Sequence, residues 1–131
     1  MEGSAMNNLE MLKKLCHDVQ KKWEVTYGID EIEDLLLVVL NFLKLHPENH
    51  SEFIDYFASR VTRDEQFPYE ILVFCMRELQ WLEIKEAAIA ENAKTDDWRI
   101  ISVMNEIIAV YESEWEDADL YEYYSKPNKT K

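Results

Sequence analysis

Residues 30–47 read DEIEDLLLVVLNFLKLHP, and this stretch decides the fold class. Ile32, Leu35, Leu36, Val39, Leu40, Phe42 and Leu43 recur at the steps of three and four that line one side of an α-helix. Asp30, followed three residues later by Glu33, has the spacing of a capping box, in which each side chain satisfies an orphan backbone donor. Pro47 forbids continuation, because it lacks an N–H and its ring collides with the preceding turn. An apolar face this wide predicts a helix at the centre of a bundle.

The same period extends in both directions. Leu9, Leu12, Cys16, Val19 and Trp23 step 3, 4, 3, 4 along a helix that opens near Asn7 or Asn8 and closes at Gly28. Pro47 suits the first position of a third helix, with Phe53, Ile54, Phe57 and Val61 inward and Arg60 and Arg63 near its C-terminal end. Pro68 opens a fourth, with Glu70 in the first turn and Ile71, Leu72, Cys75, Met76 and Leu79 inward. The stripe loses register between Gln80 and Leu82, which predicts a break and then a fifth helix through Ile84, Ala87, Ala88 and Ile89. Thr95 to Asp97 supplies the next N-cap, and Ile101, Met104, Ile108, Tyr111 and Trp115 again step 3, 4, 3, 4. Nothing alternates with period 2 for long enough to require a strand. The expected fold is all-α, a single compact domain of about six helices in antiparallel hairpins, arranged as a bundle or a short solenoid-like stack. Residues 1–6 read as an expression scar, 7–124 as the helical domain and 125–131 as a flexible tail.

Composition narrows the function classes. The 131 residues hold 27 Asp plus Glu against 14 Lys plus Arg, a formal charge of −13, with 47% apolar and 12% aromatic residues. So many rings oppose disorder, and the charge opposes binding to nucleic acid or an anionic membrane, either of which calls for a basic face. Glu10, Lys13, Lys14 and Asp18 stand where a signal peptide would be apolar. The longest apolar run, Leu35 to Leu40, is far below the roughly 20 residues of a bilayer span. A cytoplasmic protein is expected, with Cys16 and Cys75 as reduced, buried small hydrophobes.

No catalytic residue, metal ligand or cofactor is expected. His46 and His50 have the i,i+4 spacing of a zinc clamp, but Pro47 between them breaks the helical face. Cys16 and His17 are adjacent and point about 100° apart. No histidine lies three residues after a glutamate, and no phosphate-binding glycine loop or nucleophile elbow occurs.

One segment differs in kind. From Ile100 through Ser125 there is no Lys or Arg, while Glu106, Glu112, Glu114, Glu116, Asp117, Asp119 and Glu122 interleave with Tyr111, Trp115, Tyr121, Tyr123 and Tyr124. Acids beyond a helix C-terminus oppose the macrodipole, so local stability does not explain them. Carboxylates steer a basic partner and aromatics anchor it, which makes Glu112, Glu114, Glu116, Asp117, Asp119, Tyr121, Glu122, Tyr123 and Tyr124 the candidate partner-binding residues. The same pattern also fits a solvated acidic end whose rings tuck into the core.

Phe74-Cys75-Met76-Arg77-Glu78-Leu79 with Trp81, then Asp97-Trp98-Arg99, then Trp115-Glu116-Asp117-Ala118-Asp119, resemble small acidic all-helical bacterial immunity-type proteins of polymorphic and contact-dependent toxin systems. The likeness spans roughly residues 67 to 124 and contains no diagnostic motif. It implies a non-enzymatic inhibitor that binds a cognate, basic toxin domain. The alternative is a helical adaptor, regulatory or self-associating module without a toxin partner, for which a homodimer is one expected form.

Overall fold

A computed structural model describes residues 7–26, 28–63, 67–112, 115, 118 and 121–125. The segments read above as scar and tail, residues 1–6 and 126–131, lie outside the described residues. Every element among the described residues is helical: α1 (Asn8–Thr26), α2 (Ile29–Leu45), a 3₁₀ turn (Pro47–Asn49), α3 (His50–Arg63), α4 (Glu70–Leu79), α5 (Leu82–Lys94), α6 (Trp98–Ala109) and α7 (Glu122–Ser125). The all-α, single-domain expectation holds. No described helix is long and apolar enough to cross a membrane.

Short connections make antiparallel neighbours. Asn8 at the start of α1 donates from Nδ2 to Asn49 Oδ1 at 2.7 Å, just beyond the end of α2, so the first two helices run in opposite directions. Asn92 Nδ2 donates to Asn105 Oδ1 at 2.9 Å between α5 and α6, across the turn Thr95–Asp97. Asp97 caps α6 as its spacing predicts, accepting the Arg99 backbone N–H at 3.0 Å. The Arg99 side chain, a hydrogen-bond donor to the same carboxylate, holds that carboxyl below its ordinary range, assisted by the backbone N–H. Between these hairpins, α3 packs on α5 and α1, and α4 packs on α2 and α6.

Three local expectations change. Pro47 starts a 3₁₀ turn rather than an α-helix, and α3 opens at His50. The break after α4 is made by Gln80 in the left-handed region, φ 56°, which glycine would normally occupy. Its side-chain amide holds it there by donating to the carbonyls of Met76, Arg77 and Val110 at 2.9, 3.0 and 3.1 Å. Third, α2 is not the most enclosed helix. Val38 on α2 is 46% exposed, whereas every residue of α4 from Glu70 to Met76 is buried.

The core joins Leu12, Cys16 and Val19 of α1 to Ile32, Leu36, Val39, Leu40 and Leu43 of α2, Phe53 and Phe57 of α3, and the apolar run of α4. Cys16 and Cys75 are free thiols inside it, and burial pushes both well above the ordinary thiol range, so they act as apolar filling. Phe57 is fully buried, with its ring near those of Tyr56, Phe67 and Trp81. Phe57→Ala is expected to lower the unfolding free energy by about 3–5 kcal/mol. Leu45→Ala, at a side chain 72% exposed, should leave it within about 0.5 kcal/mol. Urea unfolding followed by circular dichroism checks both values.

Candidate functional site

The acidic, aromatic segment begins where α6 ends. Val110 closes that helix, and the Glu112 N–H reaches the Ala109 carbonyl at 3.1 Å in a further turn. Arg77 of α4 holds the turn, donating from Nη1 to the carbonyls of Val110 at 2.9 Å and Glu112 at 2.5 Å. The Tyr111 hydroxyl donates to the Trp81 carbonyl at 2.7 Å, and burial moves that phenol well above its ordinary range. The chain then doubles back across α4. Trp115 is buried under the Arg77 guanidinium, 5.8 Å from its ring, and stacks on Tyr121 at 5.7 Å. Phe74 of α4 is approached by the rings of Tyr121, Tyr123 and Tyr124 at 5.3, 5.6 and 5.1 Å. The Tyr124 hydroxyl also donates to the Phe74 carbonyl.

One carboxylate secures this arrangement. Glu33 of α2, only 8% exposed, accepts the backbone N–H groups of Glu122 at 3.0 Å and Tyr123 at 2.7 Å, one on each oxygen. It therefore caps α7 from a helix 89 residues earlier in the chain. The capping box expected at α2 is absent: Gly28 is the N-cap, with extended backbone and no side-chain hydrogen bond. Glu33 has the residue type a cap requires and applies it to another helix.

The predicted partner-binding residues therefore separate into four groups. Tyr121 is 2% exposed, so the expectation that it anchors a partner gives way to a role in the protein's own core. Tyr123 and Tyr124 are half-buried against Phe74 and one another, and the Tyr123 hydroxyl donates to Glu78 Oε1 at 3.4 Å. Glu112 and Glu122 are exposed, as steering charges require. Glu114, Glu116, Asp117 and Asp119 lie outside the described residues.

Glu70, read in the sequence only as an acid in the first turn of α4, is buried there. Burial raises its carboxyl above the ordinary range, opposed by its own backbone N–H. Tyr121 is pushed up first by burial and then by the negative field of Glu70, with Tyr69, Glu106 and Glu33 adding to it. The rings thus pack beside an acidic interior.

The remaining candidates for chemistry have structural surroundings. His46 Nδ1 lies 3.2 Å from Asn8 Nδ2 and 3.1 Å from Glu48 Oε2, the His50 ring sits 4.6 Å from that of Trp81, and His17 is exposed on α1. Among the described residues no three His, Cys, Asp or Glu side chains gather as a metal site. An open groove of about 450 Å³ between α1 and α3 has Tyr56 beneath Lys13 and Arg60, at 5.8 and 5.5 Å from its ring. Glu52 and Asp55 line the same groove, so its charges are mixed.

Glu33→Gln leaves one oxygen for two N–H groups and turns an amide donor toward the other, with an expected cost of about 1–3 kcal/mol. Hydrogen exchange should quicken at the Glu122 and Tyr123 amides before the rest of the chain. For Glu70 the sign is the reverse of a salt-bridged acid. Its folded carboxyl binds a proton more tightly than the unfolded one, so its contribution to stability falls as pH rises from about 4.3 and stays low above the raised value. Glu70→Gln should therefore raise the urea midpoint at neutral pH and flatten that decline. Comparison with protein-family models, with curated proteins and with solved structures finds no match to this chain.

Proposed function

We propose that this protein is a non-enzymatic inhibitor of the immunity type, acting in the bacterial cytoplasm, that neutralises a cognate toxin domain with a basic surface. The observation that carries the reading is exposed acid, at Glu112 and Glu122, in a stretch of sequence free of bases. The chain carries −13, its stretch from Ile100 to Ser125 contains no base, and Tyr121 and Tyr124 within that stretch pack against Phe74. A single-sign field accelerates approach of an oppositely charged protein. Arg77, the cation at this end of α4, directs its guanidinium to the Val110 and Glu112 carbonyls and the Trp115 ring. The acids occupy the positions that phosphates would take on a basic toxin, and inhibition is by occlusion.

The test pairs the protein with the toxin domain encoded in the neighbouring reading frame. Co-expression should protect the host cell. Neutralising Glu112, Glu114, Glu116, Asp117, Asp119 and Glu122 together should slow association by about tenfold at low salt and flatten its salt dependence. Stopped-flow mixing at several ionic strengths measures both effects. Unchanged rates at every salt concentration would sink the acidic-face mechanism.

A further inference from the structure

Helix α5 is apolar on two sides. Ile84 and Ala88 enter the core, while Leu82 is 60% exposed, Ile89 is 47% exposed, and Ala90 and Ala93 lie outward with them. Leu82 and Ile89 are seven residues apart and so share one side of the helix, about 10 Å along its axis. Just past the turn, Trp98 opens α6 and is 74% exposed. Of the six exposed large apolar side chains among the described residues, this hairpin holds three, including the sole aromatic. Trp is the side chain most often found as an energetic anchor at protein interfaces.

Charge decides what covers this strip. The cations of the hairpin are engaged locally: Lys94 with Glu91 at 3.6 Å, Arg99 with Asp97 at 3.1 Å, and Lys85 over the Tyr111 ring at 5.7 Å. Glu83, Glu86 and Asp96 are exposed alongside the apolar residues. A second copy of the chain would set these acids against themselves on top of a net −13. A helix with apolar residues on one side and Lys or Arg on its flanks satisfies both features at once.

We infer that the outer face of the α5–α6 hairpin docks a basic amphipathic helix of the partner protein, with Trp98 as its anchor and Leu82 and Ile89 as the apolar track. The inference rests on the reading that the partner is basic. It moves the apolar contact from the C-terminal tyrosines, which the core consumes, to a different part of the surface.

The probe is a synthetic Leu/Lys peptide of amphipathic helical pattern, titrated calorimetrically at physiological salt beside a scrambled peptide of the same composition. The amphipathic peptide should bind at least tenfold more tightly than the scrambled one. Trp98→Ala and Ile89→Ser should each weaken it by about tenfold, whereas the double neutralisation Glu112→Gln, Glu122→Gln should not remove the preference for the amphipathic form. All of these side chains lie at the surface, and circular dichroism verifies the fold of each variant. Equal binding of both peptides, or indifference to Trp98→Ala, overturns the docking strip while leaving a basic partner in place. Binding of neither peptide also overturns it, and protection in the co-expression assay reads the functional proposal separately. A stable dimer in sedimentation equilibrium that Trp98→Ala dissociates would assign the strip to a second copy and overturn the inference.

Discussion

A helix that is apolar on every side must be covered on every side, and α4 imposes that condition on the whole molecule. Ile71 to Met76 is an unbroken run of six apolar residues, all buried. Helices α2 and α6 each pack against α4, and the returning segment lays Tyr121, Tyr123 and Tyr124 around Phe74. Fully burying a side chain of this kind is worth about 1.5–3 kcal/mol, which makes covering Phe74 a strong demand on whichever residues can reach it. The C-terminal rings are there because α4 has a side that no longer helix covers.

That demand explains what the sequence made legible and what it concealed. The 3, 4, 3, 4 spacing at Leu9–Trp23, the N-cap at Asp97 and the break near Gln80 follow from local periodicity and local capping, and each is present, whereas the stripe Ile101–Trp115 is helical only as far as Ala109. Trp115, which continues the stripe of α6 in sequence, is buried although that helix stops at Ala109, because the chain returns to the same core by another path. Two long-range facts escaped. The apolar run at 71–76 is as long as the one at 35–40, and the enclosure of α4 rather than α2 depends on which neighbours surround it. The role of Glu33 was hidden for the same reason: local spacing offers it the start of its own helix, while the donors it meets are 89 and 90 residues away. Of the expected site, the exposure of Glu112 and Glu122 was readable from charge alone, but the fate of the tyrosines was not, since a ring beside acids suits an interface and a core edge equally.

Under the proposed function the acidic surplus and the aromatic surplus serve different ends. The rings of Trp115, Tyr121, Tyr123 and Tyr124 stabilise the fold, while the exposed carboxylates of Glu112 and Glu122 would guide encounter. The apolar contact that such an encounter must mature into would then lie elsewhere, at Trp98 and the outer side of α5. Charge that guides approach and apolar surface that holds the complex need not coincide, because the first acts across roughly a Debye length of ~10 Å and the second only at contact.

The long-range cap also sets an order of events during synthesis. Glu33 leaves the ribosome well before its donors at Glu122 and Tyr123, which emerge last among the described elements. Until they do, one side of Phe74 has no cover and a buried carboxylate has no partner. Contacts of such separation close late, after the local hairpins, and the nascent intermediate displays apolar surface in the meantime. Without residues 121–125 one side of Phe74 would lie uncovered, so one short segment decides whether the surface over α4 is closed or apolar.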